Sequence, residues 1–156
     1  MSDAADNSNA LVRPPIALLL AFVGGLGIDW LYPLRFVPAD ISGGWVGAAV
    51  FAASFALALW AIATFRDAGT RVETYKATST IVESGPYRFT RNPIYVGMFV
   101  GLIGLAIGFN SLWILAALVP FFLIIRFGVV AREEDYLERK FGGPYLAYKT
   151  RVRRWL

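Results

Sequence analysis

Two stretches of this chain are too polar and too particular to be simple connections between its apolar runs. The first is Thr80-Ile-Val-Glu-Ser-Gly-Pro-Tyr-Arg-Phe-Thr-Arg-Asn-Pro-Ile-Tyr-Val-Gly97. Gly85-Pro86 forces a turn, and Pro93 suits the first turn of a helix, where no backbone donor is needed. A helix that starts there leaves its first N–H groups free, which makes a natural anion site. Arg88 and Arg91 flank it and can grip a carboxylate in bidentate fashion. By spacing alone, anchoring of basic side chains at a membrane surface explains the same two arginines equally well. The second stretch is Arg132-Glu-Glu-Asp-Tyr-Leu-Glu-Arg-Lys-Phe141, followed by Gly142-Gly143-Pro144 and then Tyr145 to Leu156. Glu133 and Glu134 project about 100° apart on a helix, so they cannot work as a paired-carboxylate couple. One can meet an arginine while the other meets a ligand. A solvated acidic helix face is the plainer account.

Other chemistry is excluded by what the chain lacks. It has no Cys and no His. Thiolate zinc sites are absent, and so is the side chain best suited to moving protons near neutral pH. His-based triads and metal-dependent hydrolysis are poor fits, and no metal is expected. The net charge of +4 does not point to nucleic acid, because the basic residues cluster beside apolar runs, where anionic lipid headgroups attract them.

The elements that must position these two stretches are membrane spans. Of the 156 residues, 57% are hydrophobic and 17% charged, against roughly 45–50% and about 25% in soluble domains. A soluble domain of this size buries only about 70% of its unfolded surface and cannot hide so much apolar area. Mean hydropathy is +0.56. Spans are predicted at about 16–34, 45–65, 93–110 and 112–130, the third short for a bilayer that takes about 20 residues to cross. Fourteen of the fifteen Lys and Arg residues fall on one side of this arrangement, which puts both termini and the long second loop in the cytoplasm. Arg35 alone lies on the other side. Residues 1–12 read as a disordered cytoplasmic lead-in. Residues 131–141 and 144–156 read as two cytoplasmic helices, with Tyr145, Tyr148, Val152 and Trp155 on one face of the second, laid on the membrane surface. The expected fold is thus all-α, an integral membrane bundle of four transmembrane helices with C-terminal interfacial helices, forming one domain over 13–156.

Several further features read as structural. Gly97-x3-Gly101 and Gly104-x3-Gly108 let helices approach closely. Gly24-Gly25-Leu26-Gly27 lies inside an apolar span and lacks the strand a nucleotide loop needs. Trp30, Trp45 and Trp113 fall at the outer interface, and Trp60 and Trp155 at the inner one. Asp29 is expected to reach outer headgroups rather than serve as a buried acid. Twelve Arg against three Lys hint at a GC-rich bacterial genome and so at a bacterial inner membrane.

The pattern Gly-Pro-Tyr-Arg-Phe-Thr-Arg-Asn-Pro-Ile-Tyr-Val-Gly, followed by Glu-Glu-x2-Leu-x3-Phe-Gly-x2-Tyr-x2-Tyr, resembles the isoprenylcysteine carboxyl methyltransferase and phospholipid methyltransferase superfamily. The likeness covers roughly residues 64–156 and includes Phe65 to Thr70. Many members carry Arg-His-Pro where this chain has Arg91-Asn92-Pro93, so a titratable ring is replaced by an amide that can still donate and accept hydrogen bonds. The resemblance implies S-adenosylmethionine as methyl donor, held between the start of span three and the C-terminal helices. It carries Gly85, Tyr87, Arg88, Arg91, Asn92 and Pro93 to the cofactor site, together with Tyr95, Gly97, Glu133, Glu134, Tyr145 and Tyr148. Arg91, Asn92 and Glu134 are the implied catalytic residues. Arg91 or Arg88 would meet the donor's carboxylate, Glu133 or Glu134 its amino group and ribose, and the tyrosines its adenine and sulfonium.

The implied acceptor is a lipid or small hydrophobic molecule (a prenylcysteine carboxylate, a phospholipid amine or a thiol) reaching the site between helices, with Arg126 lining the way or merely snorkelling. Membrane lipids are the expected partners, and oligomeric state is open. Two alternatives stand beside this reading. One is a non-catalytic membrane protein on the same scaffold; the other is a nicotinamide-dependent membrane reductase, for which 156 residues leave little room.

Overall fold

A computed structural model of the chain describes residues 8, 10–69 and 78–156. Among the described residues the regular structure is entirely helical. Arg13 precedes Pro14 and Pro15, whose fixed φ opens α1 (Pro14–Leu31), and Pro33 follows soon after its end. The second helix, α2 (Gly43–Asp67), carries Arg66 in its last turn and stops at Ala68-Gly69, where Gly69 takes a φ of +67° and its N–H bonds back to the Arg66 carbonyl. A 3-10 turn at Gly85–Arg88 leads into α3 (Pro93–Gly108), which begins on proline as expected. Asn110, at φ +47°, reverses the chain into α4 (Leu112–Ala116). Ala117 interrupts the run before α5 (Leu118–Leu123), since Pro120 offers no N–H to the carbonyl four residues back.

Beyond α5 the helix widens into a π-helical stretch, Ile124–Val130, and passes directly into α6 (Ala131–Phe141). The predicted end of the fourth span at about 130 and the predicted helix over about 131–141 fall on this π-to-α boundary, and the backbone passes through it without a break. Val130 and Ala131 keep helical backbone angles, because nothing at 130–132 caps or breaks a helix. The whole run, Leu112–Phe141, is 30 residues long, about 45 Å at the helical rise. Gly142, at φ +57°, ends it, and α7 (Gly143–Arg151) follows with Pro144 in its first turn. The predicted helix over 144–156 stops early: Val152 is extended, and residues 152–156 fold back toward the start of α3.

Among the described residues three helices are long and apolar enough to cross a membrane: Pro14–Leu31, Gly43–Asp67 and Leu112–Phe141; Pro93–Gly108 is apolar but shorter. Leu19, Leu20, Phe55, Leu59, Val119 and Phe127 are exposed on their outer faces, which suits hydrocarbon surroundings. The core between them is Leu102, Ala106, Ile114, Phe121, Ile125 and Val129, all at most 1% exposed. The tightest contact joins α2 and α3. A Cβ added at Gly47 would lie 2.4 Å from the Gly108 nitrogen, and one at Gly104 would lie 2.7 Å from the Phe51 nitrogen. Only glycine permits backbones this close. The same stripe continues through Gly101 and Gly97, which face Ser54 and Ala58.

Two expectations change here. Asp29 does not reach outward: it is 6% exposed and pairs with Arg35 at 2.9 Å. Arg35 also donates to the Phe109 and Asn110 carbonyls, so it binds the 32–42 connection to the turn after α3. The lead-in is partly ordered: Ser8 is buried and the Leu11 N–H donates to the Gly128 carbonyl at 2.9 Å. Residues 1–7 and 9, which share that expectation, lie outside the described residues, as do Thr70, Arg71 and Lys76 of the second loop.

Candidate active site

The 3-10 turn, the start of α3, α6 and α7 gather at one end of the bundle around a cavity of about 120 Å³. Nine of the residues expected at the site border it: Tyr87, Arg91, Asn92, Pro93, Tyr95, Glu133, Glu134, Tyr145 and Tyr148. They come from four elements separated by up to 61 positions, and each is delivered by a local feature. Proline at the head of α3 places Arg91 and Asn92 just before the helix and Tyr95 in its first turn. The unbroken passage from the π-helical stretch into α6 turns Glu133 and Glu134 toward α3. The Gly142-Gly143-Pro144 corner brings Tyr145 and Tyr148 back over them, 2% and 3% exposed.

The two glutamates divide their work as neighbours on a helix must. Glu134 is the buried counter-ion: Arg91 Nη2 donates to Oε1 at 3.0 Å, while Arg154 donates through Nε to Oε1 at 2.9 Å and through Nη2 to Oε2 at 2.6 Å. Glu133 instead accepts a hydrogen bond from the Tyr95 hydroxyl at 2.8 Å. The side chains of Arg91 and Glu134 are each only 8% exposed, so their attraction acts in a medium of low polarizability. Among the described residues, Arg91 Nε and Nη1 are buried without a hydrogen-bond partner. Each such orphaned donor costs about 1–3 kcal/mol, a cost that a bound anion would remove.

Around this polar centre stand aromatic rings. Tyr145 and Tyr148 lie with centroids 6.2 Å apart, and Phe65 packs on Tyr87 at 4.9 Å. The Tyr148 hydroxyl donates to the Tyr87 carbonyl at 2.8 Å. Burial pushes the hydroxyls of Tyr87, Tyr145 and Tyr148 well above the ordinary phenol range, so all three stay neutral. The hydrogen bond to Glu134 likewise raises the already high pKa of Arg154. α7 is fastened from outside by Arg151 to Glu83 at 2.6 Å and by Lys149 to Glu138.

Not every expected site residue arrives. Arg88 is exposed and does not border the cavity. Gly85, at φ +56°, sits against Thr64 and shapes the turn. Gly97 belongs to the α2 contact, where a Cβ would lie 3.1 Å from the Ser54 carbonyl oxygen. Arg126 is half-buried with its guanidinium 5.2 Å from the Phe127 ring centroid, and it too is absent from the cavity wall. Asn92 borders the cavity, but its amide nitrogen donates to the Arg154 carbonyl at 2.9 Å. At the helix start the Asn92 N–H donates to the Thr90 hydroxyl at 3.2 Å, and just before it the Arg91 N–H donates to the Arg153 carbonyl at 2.9 Å. Tyr145 and Tyr148 face inward, so the aromatic face expected against the membrane is turned to the cavity instead, and Trp155 packs on Phe99 and Phe122.

Sequence reasoning missed Arg154 and the far wall of the cavity, formed by Phe65, Thr78, Thr80, Ile81, Val82, Ile94, Tyr136 and Leu137. The Thr78 N–H donates to the Tyr136 hydroxyl at 3.2 Å, tying that loop to α6. Nothing in the spacing of these residues signals their convergence. Arg154 stood among several basic residues with no mark to single it out.

The chain belongs to the phospholipid methyltransferase family, whose model matches residues 43–143. That match takes in α2, α3, the fourth helical run and the Gly142-Gly143 corner, and so most of the cavity. Over 47 residues the chain is 53% identical to an uncharacterized protein of Haemophilus influenzae, covering 30% of this chain and 73% of that one. Over 66 residues it is 33% identical to the nickel-cobalt-cadmium resistance protein NccN of Alcaligenes xylosoxydans xylosoxydans, covering 42% of this chain and 31% of the relative. The chain therefore spans about a third of NccN. No solved structure matches. Fold and family together define a helical membrane protein of the methyltransferase type.

Proposed function

We propose that the cavity binds S-adenosylmethionine, and that the protein passes its methyl group to a lipid or small hydrophobic acceptor at the cytoplasmic face of a bacterial inner membrane. The observation that carries this reading is Arg91, a buried guanidinium with two unpartnered donor nitrogens, bordering a cavity that also holds a carboxylate and several aromatic rings. That set matches the donor's chemistry. Arg91 would hold its carboxylate, Glu133 its ammonium group, and Tyr87, Tyr145 and Tyr148 would offer ring faces to its adenine and sulfonium.

When bound, the donor supplies an electrophilic methyl group on a sulfonium, and the protein's part is to orient it and exclude water. Glu134 fixes Arg91 from behind. Asn92 secures the 152–156 segment rather than moving a proton, so the absence of a titratable ring at that position does not remove a function the geometry requires. The neutral tyrosines line the site without adding charge. Alignment of this kind can supply about 7–11 kcal/mol of barrier lowering in a displacement that makes few chemical demands on side chains.

Calorimetry on the purified protein in detergent tests the donor site. S-adenosylmethionine and its demethylated product should both bind, Arg91→Ala should abolish binding, and the absence of heat with the intact protein would overturn the reading. Incubation with methyl-labelled donor and bacterial lipid vesicles then shows whether the label enters lipid.

A further inference from the structure

Arg154 does not border the cavity, yet the cavity's cation is held through it. Its guanidinium grips both oxygens of Glu134, at 2.9 and 2.6 Å, and Glu134 in turn receives Arg91 at 3.0 Å on one oxygen only. The same residue's carbonyl accepts from the Asn92 amide at 2.9 Å and the Thr90 hydroxyl at 3.1 Å. Arg154 therefore ties the start of α3 with its backbone and the first turn of α6 with its side chain. Trp155, with ring centroids 5.6 Å from Phe99 and 5.8 Å from Phe122, pins the segment to α3 and the fourth helical run.

The arithmetic of donors explains why this matters. A carboxylate facing a single arginine closes on it as a two-point fork, the strongest geometry open to the pair. Without Arg154, Glu134 is free to close on Arg91 in that way, using up donors that now stand unpartnered and cancelling the charge beside the cavity. With Arg154 in place, two guanidinium groups share one carboxylate, and the surplus positive charge stays on the cavity side.

We infer that Arg154 is a positioning residue: by occupying both oxygens of Glu134 it keeps Arg91 oriented, with two donors available to the anionic group of a bound ligand. This rests on the donor site proposed above and extends it to a residue outside the cavity.

The test uses two ligands on the full chain in detergent. S-adenosylhomocysteine carries the carboxylate and ammonium; 5′-methylthioadenosine keeps the nucleoside and the sulfur and lacks both charges. Arg154→Gln should weaken S-adenosylhomocysteine about tenfold to a hundredfold, the range for losing hydrogen bonds to a charged group, and leave 5′-methylthioadenosine within about twofold. Arg154→Lys restores the charge but not the fork and should fall between. Equal weakening of both ligands would show that the segment merely supports the fold, and no weakening of either would show Arg154 to be idle; each overturns the inference. If Arg154→Gln does not fold, Arg154→Lys gives the same readout, the loss confined to the charged ligand. Failure of the unsubstituted protein to bind S-adenosylhomocysteine is a separate result, which removes the donor site and this inference with it.

Discussion

Both ends of the bundle hold a buried carboxylate against an arginine, and they spend the pair differently. At the end near the turn after α3, Arg35 is half exposed, and its Nη1 reaches Asp29 at 2.9 Å, the Asn110 carbonyl at 3.0 Å and the Phe109 carbonyl at 3.3 Å. The Asn110 side chain adds bonds to Phe36 and Val37, and Trp113 donates to the Tyr32 carbonyl. That arginine is consumed in closing a turn against a loop. At the other end Arg91 is buried, meets Glu134 through a single nitrogen, and leaves two donors unspent beside a cavity. The contrast separates an ion pair that holds a fold from one that is held by a fold. Natural structures satisfy nearly all buried polar groups; among the described residues the exceptions are Arg91 Nε and Nη1 beside the cavity and Asp29 Oδ1 at the other end, and it is the pair of donors on Arg91 that the proposed ligand would use.

The largest expected effect breaks the comparison at the cavity. Arg91→Ala should reduce donor binding by a hundredfold or more and abolish methyl transfer in a labelled-donor assay, whereas Arg35→Ala should leave binding within about twofold and lower only the thermal stability measured in detergent. Comparable loss of binding in both variants would show that the two ends do not differ in kind. Next, Glu133→Gln keeps the shape and the Tyr95 contact but removes the charge that would face the donor's ammonium. Calorimetry should show about tenfold weaker S-adenosylhomocysteine, with 5′-methylthioadenosine little changed.

Smaller effects sharpen the contrast between a rigid end and a working end. Gly104→Leu drives a side chain into the Phe51 backbone, and overpacking of this kind typically costs about 1–3 kcal/mol. Its melting temperature should fall, and donor binding should weaken only as far as the α2 and α3 contact is transmitted to Arg91. Gly24→Ala is the mildest change. Nothing lies within 4 Å of a Cβ there, inside α1, so the helix should gain up to about 1 kcal/mol with binding unaltered.

Much of the architecture was legible because membrane helices are written in one dimension. The length of an apolar run suffices to place a helix, proline sharpens the starts of α1 and α3, and α1, α2 and α3 fall within a few residues of the predicted spans. The errors lie where the local signal is silent or double. The helix predicted over 131–141 is α6, but no local signal says that it continues the fourth helical run as one 30-residue stretch. Val152 and Trp155 shared a helical face with Tyr145 and Tyr148 by period, but the helix ends at Arg151, and the aromatic face turned inward rather than toward lipid. Gly97 reads as a packing residue by its spacing and as a cofactor residue by the family resemblance, since glycine announces only that something comes close.

What the sequence determined by itself was the set of parts: apolar helices of about the right length, their starts and reversals, a stripe of small residues, and two polar motifs carrying the arginines, glutamates and tyrosines. These follow from short-range rules of backbone sterics and from the cost of polar groups in hydrocarbon. Tertiary structure alone decided which arginine borders the cavity, which of two adjacent glutamates pairs with arginines and which takes the Tyr95 hydroxyl, and that Arg154 reaches Glu134 from 20 positions away. Those choices turn on angles and distances of a few ångströms between helices. Pairing strength changes steeply over that range, and residue order does not record it.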